Sequence, residues 1–348
     1  MEIIILFLRC FFLKETDLLS ITLYIASNYP HKYHYFLTYV RFSFMIFKYS
    51  RLLCIFLCSA ATMAGAQNHV IKLWPDAIPL ATTAHRTNNV VAPDGTGCID
   101  NIHDPEMEVF LPEKGKGNGS AVLIFPGGGY SVVCVRKEGH VLATWLAGHG
   151  IAGIVLQYRL PLDSTTSDKS IAPLQDAQRA MRLVRENAGT WHIDPEKVGV
   201  MGFSAGGHLA STLSTHYNEK VYDGKENLSA RPAFSILIYP VISFDETIAH
   251  MGSRRNLLGD SPSAKTVRHF SNELQVTGDT PPTFLVHATD DQSVVVQNSL
   301  RYYEALLKNK VPAELHIYQS GGHGFAMGTG GTENQWPEAC LDWLKTLK

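Results

Sequence analysis

The sequence predicts an α/β chain with a mostly parallel central sheet and helices on both faces. Three observations carry this. From Met107 onward, short apolar runs alternate with longer amphipathic stretches. Several of the runs are continuous in Val, Ile and Leu, as strands buried on both faces should be. Their spacing leaves room for a helix between most pairs, which a parallel connection requires.

The chain of 348 residues begins differently. Residues 1–66 are crowded with Ile, Leu, Phe and Tyr and poor in Gly and Asp. Lys48 and Arg51 precede the apolar run Leu52-Leu53-Cys54-Ile55-Phe56-Leu57, and Ala64-Gly65-Ala66 stands just before Gln67. That layout, 45–66, is expected to be a secretory signal peptide cleaved after Ala66. Met45 opens it, so residues 1–44 read as an over-extended start. The stretch 52–63 is shorter than the ~20 apolar residues of a spanning helix. A secreted or periplasmic product, free of the membrane after cleavage, is therefore expected. Residues 67–348 suit a single domain.

The formal net charge is −2 and no Lys/Arg run marks residues 67–348, which argues against nucleic acid as a partner and for a neutral substrate. Cys10, Cys54 and Cys58 fall in the leader. The remaining Cys98, Cys134 and Cys340 allow one disulfide and have no metal-ligand spacing, so no structural metal is expected.

In chain order, strands are expected at 108–111, 121–125, 153–157, 198–201, 235–239, 283–287 and 315–318. The clearest helix is 171–188, where Ile171, Leu174, Ala177, Met181, Val184 and Ala188 recur at three- and four-residue steps. Arg179, Arg182 and Arg185 lie off that stripe and read as solvated charges. The stretch 114–119, rich in Lys and Gly, reads as a hairpin tip. The polar stretch 252–275 reads equally as a small lid or a surface insertion.

The chemistry concentrates in four loops. Strand 198–201 runs into Gly202-Phe203-Ser204-Ala205-Gly206-Gly207, followed by an expected helix at 208–215. A G-x-S-x-G between strand and helix is a nucleophile elbow, whose tight turn leaves no room for side chains at positions 202 and 206. The helix also aims free N–H groups at the site, making Ala205 N–H a natural oxyanion donor. The second loop, Phe125-Pro126-Gly127-Gly128-Gly129-Tyr130, follows strand 121–125 and offers bare backbone donors. No Gly-Lys-Ser/Thr follows it, so phosphate binding is not expected. Strand 283–287 ends in Ala288-Thr289-Asp290-Asp291, where Asp291 is preferred as the acid and Asp290 stands as the alternative. Finally, Gly321-Gly322-His323-Gly324-Phe325 can bring His323 to Ser204. Serine needs a neutral imidazole to take its proton, and a carboxylate to orient that imidazole. Of the fifteen histidines, His208 and His287 are expected only to pack and hydrogen-bond.

Taken together, Pro126-Gly127-Gly128-Gly129-Tyr130, Gly202-Phe203-Ser204-Ala205-Gly206-Gly207-His208-Leu209-Ala210, His287-Ala288-Thr289-Asp290-Asp291 and Gly321-Gly322-His323-Gly324-Phe325 resemble the secreted bacterial α/β-hydrolases grouped as acetyl xylan and feruloyl-esterase-like carbohydrate esterases. Leu73-Trp74-Pro75-Asp76 and Trp336-Pro337-Glu338 with Trp343-Leu344 are similar to theirs as well. The resemblance covers nearly all of 67–348. It implies an α/β-hydrolase fold and a serine carbohydrate esterase that needs no cofactor. It makes Ser204 the nucleophile, Asp291 the acid, His323 the base, and Gly128, Gly129 and Ala205 the oxyanion donors, with Gly127 as an alternative to Gly129. One departure is Val295, where a proline usually follows the valine of the acid turn.

The function expected first is removal of acetyl groups from acetylated oligo- or polysaccharide of the xylan type. The alternatives are a feruloyl or small-molecule carboxylesterase with the same triad, and a non-catalytic carbohydrate-binding protein on the same fold. The last expects a damaged triad, and Ser204, Asp291 and His323 are all in place.

Overall fold

The computed structural model describes residues 69–82, 97–164, 166–224 and 227–347. These belong to one compact unit, Ala66–Lys348. The expected signal peptide and the 44 residues before it lie outside the described residues.

Eight strands form one sheet: β1 (His69–Lys72), β2 (Glu106–Phe110), β3 (Ala121–Phe125), β4 (Ala152–Gln157), β5 (Val198–Phe203), β6 (Ser235–Ile238), β7 (Thr283–Ala288) and β8 (Ala313–Tyr318). Their order is β1-β2-β4-β3-β5-β6-β7-β8. The β1–β2 and β2–β4 pairs are antiparallel, and every pair from β4 to β8 is parallel. Every residue of β3 to β7 is buried, so both faces of this central part are covered. All seven expected strands are present. Strand β1 escaped prediction because it lies at the edge, largely exposed, and lacks an apolar run.

The helices are α1 (Val141–Gly148), α2 (Ala172–Glu186), α3 (Ala188–Trp191), α4 (Ser204–His216), α5 (Met251–Leu258), α6 (Ala264–His269), α7 (Gln297–Lys308) and α8 (Trp336–Thr346). Helix α2 buries the predicted Leu174, Ala177, Met181 and Val184, with Pro173 in its first turn, where its missing N–H costs nothing. Among the described residues no helix is long and apolar enough to cross a membrane.

Two expectations need correction. The 114–119 stretch is not a hairpin tip: it joins β2 to β3, and β4 lies between those strands. Arg179, Arg182 and Arg185 are not simply solvated. Arg179 Nε donates to Leu73 O at 3.0 Å, Arg182 Nε to Leu228 O at 2.9 Å, and Arg185 to the carbonyls of Pro195, Ser229 and Arg231. They satisfy loop carbonyls that cross the helix, which sequence periodicity does not reveal. The 252–275 stretch is largely helical, formed by most of α5, by α6 and by a short 3₁₀ turn.

Just after β4, Arg159 forms a fully buried pair with Asp176 of α2, with Nη2 to Oδ1 at 2.8 Å and Nε to Oδ2 at 2.9 Å. Trp74 Nε1 donates to the same carboxylate at 2.8 Å, fixing the Leu73-Trp74-Pro75-Asp76 segment onto α2.

Candidate active site

The four loops meet at the C-terminal edge of the parallel strands, where ligands bind in open α/β sheets. Ser204 opens α4 immediately after β5 with φ 51°, a left-handed conformation that costs about 1–3 kcal/mol for a residue with a side chain. The glycines around it explain how the turn fits. A Cβ at Gly202 would overlap the Gly206 carbonyl, and one at Gly206 would overlap the Phe125 carbonyl and sit 2.5 Å from Pro126 O. The helix begins four residues earlier than expected, because Ser204 is itself its first residue.

His323 Nε2 stands 2.8 Å from Ser204 Oγ, and His323 Nδ1 stands 2.7 Å from Asp291 Oδ2. Asp291 rather than Asp290 therefore faces the imidazole. Asp290 instead accepts from Gly322 N at 2.8 Å and so holds the histidine loop. The other oxygen of Asp291 accepts from Ser293 N and Val294 N, each at 2.9 Å, which keeps the acid turn closed with Val295 in place of proline. Burial is the largest influence on this carboxyl and pushes its pKa up. Hydrogen bonds from His287, His323 and the Val294 amide together outweigh it, holding the group ionised well below the usual range. His287, buried at the end of β7, bonds Ser299 Oγ and Val294 O at 2.8 Å each, the supporting role expected for it.

The glycine loop lies against the serine: a Cβ at Gly127 would come within 2.9 Å of Ser204 Cβ. Gly127 N–H is already committed, donating to Glu138 Oε2 at 2.7 Å. Among the described residues the N–H groups of Gly128 and Gly129 donate to no other group, and Ala205 N–H lies in the first turn of α4, where helix donors have no partner within the helix. Gly128 has φ 135°, and a Cβ there would overlap the Val132 carbonyl.

Sequence reasoning missed the groups that hold these loops. Glu138 is buried and ties the glycine loop to the histidine loop, the second through Tyr239. Besides Gly127 it accepts from Tyr239 OH at 2.8 Å, and that hydroxyl accepts from Ala326 N at 3.0 Å, just beyond His323. Burial raises the Glu138 carboxyl above its ordinary value, against the hydrogen bonds from Tyr239 and Gly127. Nothing near Glu138 in sequence distinguishes it from a surface acid. His208 Nε2 bonds Phe270 O at 2.8 Å and its Nδ1 receives Tyr130 OH at 2.9 Å, so it is a structural pillar, as expected. Burial pushes its pKa down to about 4, which keeps it neutral. The 252–275 stretch reaches the site through that Phe270 carbonyl and through Asn256 Nδ2, which donates to Gly129 O at 2.8 Å. Next to it, His250 caps α5, and its Cε1 would lie 3.9 Å from a Cβ at Gly129. A disulfide, Cys98–Cys134, braces the segment after the glycine loop, where Cys134 N donates to Gly127 O at 3.0 Å, and Cys340 is free and buried.

An elbow serine, a glycine-loop donor set and a histidine delivered from beyond β8, all on one edge of a mostly parallel sheet, define an α/β hydrolase. The chain belongs to the BD-FAE family, whose model matches residues 107–306 and so includes Ser204 and Asp291 but stops short of His323. An acetylxylan esterase of Xylanibacter ruminicola is 40% identical over 247 residues, 70% of this chain and 48% of that protein. Endo-1,4-beta-xylanase B of Butyrivibrio fibrisolvens is 34% identical over 229 residues, 65% of this chain and 36% of that protein. The chain thus spans half or less of the length of these curated relatives. An acetyl ester-xyloside bifunctional hydrolase from Caldicellulosiruptor lactoaceticus superposes with a TM-score of 0.68 at 38% identity, covering 80% of this chain and 96% of that one.

Proposed function

We propose that this chain is a serine esterase that removes acetyl groups from xylan-type polysaccharide. The observation that carries the reading is the unbroken line Ser204 Oγ, His323, Asp291, with both contacts at hydrogen-bonding distance. Relatives named for acetylxylan and acetyl ester-xyloside hydrolysis support the choice of substrate.

In this reading Ser204 Oγ attacks the acetyl carbonyl carbon while its proton passes to His323 Nε2. Asp291 holds the ring in the tautomer that leaves Nε2 free, and stabilises the imidazolium that forms. The oxyanion of the tetrahedral intermediate settles among the N–H groups of Gly128, Gly129 and Ala205, the first turn of α4 adding its dipole. Collapse breaks the ester bond, and Nε2 returns the proton to the departing sugar oxygen. Water, deprotonated by the same nitrogen, then attacks the acetyl-serine, and as the bond to Ser204 Oγ breaks Nε2 returns the proton to that oxygen, releasing acetate and restoring the enzyme. A positioned base of this kind contributes about 10²–10⁴-fold.

The substrate assignment is tested by measuring acetate release from acetylated xylan beside hydrolysis of 4-nitrophenyl acetate, 4-nitrophenyl butyrate and a feruloyl ester. Acetate release, with acetyl preferred over butyryl and feruloyl, is expected. Rapid feruloyl turnover with negligible acetate from xylan would move the assignment to the aromatic ester. Export belongs to the same proposal. It is supported by the residue pattern of 45–66 and by a disulfide that favours an oxidising compartment. N-terminal sequencing of the product is expected to begin at Gln67.

A further inference from the structure

At the end of α4 remote from Ser204, three side chains of ligand type converge. His216 is the last residue of that helix, Glu219 follows it by three positions, and His269 is the last residue of α6. One donor atom from each lies within 4.8 Å of the other two. The His216 ring is buried. Its Nδ1 faces Thr215 Oγ1 at 2.8 Å and Thr212 O at 3.2 Å. Because Thr215 Oγ1 gives its own proton to Ser211 O at 2.8 Å, Nδ1 is the protonated nitrogen and Nε2 carries the lone pair. Among the described residues that buried Nε2 has no partner that meets hydrogen-bond geometry, the backbone of the neighbouring His269 included. A buried acceptor left unpaired costs about 1–3 kcal/mol.

We propose that His216, through Nε2, together with Glu219 and His269 forms a binding site for a divalent transition-metal ion of the zinc type. Two imidazoles and a carboxylate suit zinc, copper or nickel, whereas calcium and magnesium prefer oxygen alone. Bonds of about 2.0–2.2 Å place tetrahedral ligand atoms roughly 3.3–3.6 Å apart, so even the widest pair of the cluster closes by no more than about 1.5 Å. The movable partners can supply this. The side chains of His269 and Glu219 are 36% and 38% exposed, and His269 Nε2 already lies 3.7 Å from Glu219 Oε2. His216 is the fixed anchor. Gln178 Nε2 donates to the carbonyls of both His216 and Glu219 at 3.0 Å, holding the backbone of two ligands from α2. The C-terminal end of α4 adds a partial negative charge that favours a cation.

The site lies twelve residues along α4 from Ser204, about 18 Å at the helical rise, so its role is structural. Metal would clamp α6 to the nucleophile helix next to Phe270, whose carbonyl holds His208. The spacing of Cys and His in the sequence gave no hint of it, because the third ligand arrives from another helix.

The test titrates tag-free, metal-stripped protein with ZnCl₂ by calorimetry and follows thermal unfolding with one equivalent of Zn²⁺ or with EDTA. Wild type is expected to take up one equivalent saturably and to melt higher with Zn²⁺ than with EDTA. His269→Gln and Glu219→Gln, both at partly exposed positions, should bind at least about tenfold more weakly while melting like wild type in EDTA. Absence of saturable one-equivalent binding by wild type, or binding by both variants equal to wild type, would overturn the proposal and leave His216 and His269 as a packing pair.

Discussion

Replacing Glu138 tests how far the site depends on buried groups outside the Ser204–His323–Asp291 line. Its two oxygens accept from Gly127 N at 2.7 Å and Tyr239 OH at 2.8 Å in a fully enclosed setting. Glu138→Ala leaves both donors buried and unpaired, at about 1–3 kcal/mol each, so a stability loss of about 2–6 kcal/mol is expected. Glu138→Gln keeps one acceptor but turns an NH₂ toward the other donor, so a loss of about 1–3 kcal/mol is expected. The same bond fixes Gly127, the residue before the N–H groups of Gly128 and Gly129, and the Tyr239 hydroxyl fixes Ala326 behind His323. Loss of placement on both sides of Ser204 should lower kcat about 10–100-fold, or about 1.4–2.7 kcal/mol of barrier, with KM changed less than threefold. Urea unfolding gives the stability term, and 4-nitrophenyl acetate kinetics give the split between kcat and KM. A Glu138→Gln enzyme with wild-type kcat and an unchanged urea midpoint would refute the reasoning.

Three further outcomes follow from the geometry. Removing the disulfide by Cys98→Ser with Cys134→Ser opens a loop of sequence separation 36, for which chain entropy gives about 3–4 kcal/mol of lost stability, read from the urea midpoint. Gly206→Ala drives a methyl into the Phe125 and Pro126 carbonyls, so a loss above about 3 kcal/mol or failure to accumulate soluble protein is expected, checked by yield and thermal melting. Asp291 has a folded pKa below its ordinary 3.8. Its contribution to stability is therefore fully present above that value and is lost as pH falls toward the folded one. Urea midpoints measured from pH 7 to pH 3 should fall more steeply below about pH 5 for wild type than for Asp291→Asn.

The parts of the fold that could be read from the sequence are those where local chemistry and tertiary position agree. The buried parallel strands announce themselves as Val/Ile/Leu runs because both of their faces meet helices. The elbow and the glycine loop announce themselves because only glycine fits where a carbonyl occupies the place of a Cβ, as at Gly206 and Gly128. The Asp-Asp pair was ambiguous in sequence. A two-residue turn sends adjacent carboxylates to different partners, Asp291 to His323 and Asp290 to Gly322 N. Edge strand β1 carried no apolar run, and the crossing of 114–119 over β4 depends on strand order, which local pattern does not encode. Glu138, Tyr239 and the arginines of α2 take their roles from partners far away in the chain, so their neighbours in sequence give no signal.

The central claim, that Ser204 attacks the ester, is tested most directly by labelling with a serine-directed fluorophosphonate and mapping the adduct by mass spectrometry, in wild type and in Ser204→Ala. One adduct on Ser204, none in the variant, and 4-nitrophenyl acetate hydrolysis reduced roughly 10⁴–10⁶-fold with the fold intact are expected. A folded Ser204→Ala protein that keeps its turnover, or an adduct on another residue, would contradict the account.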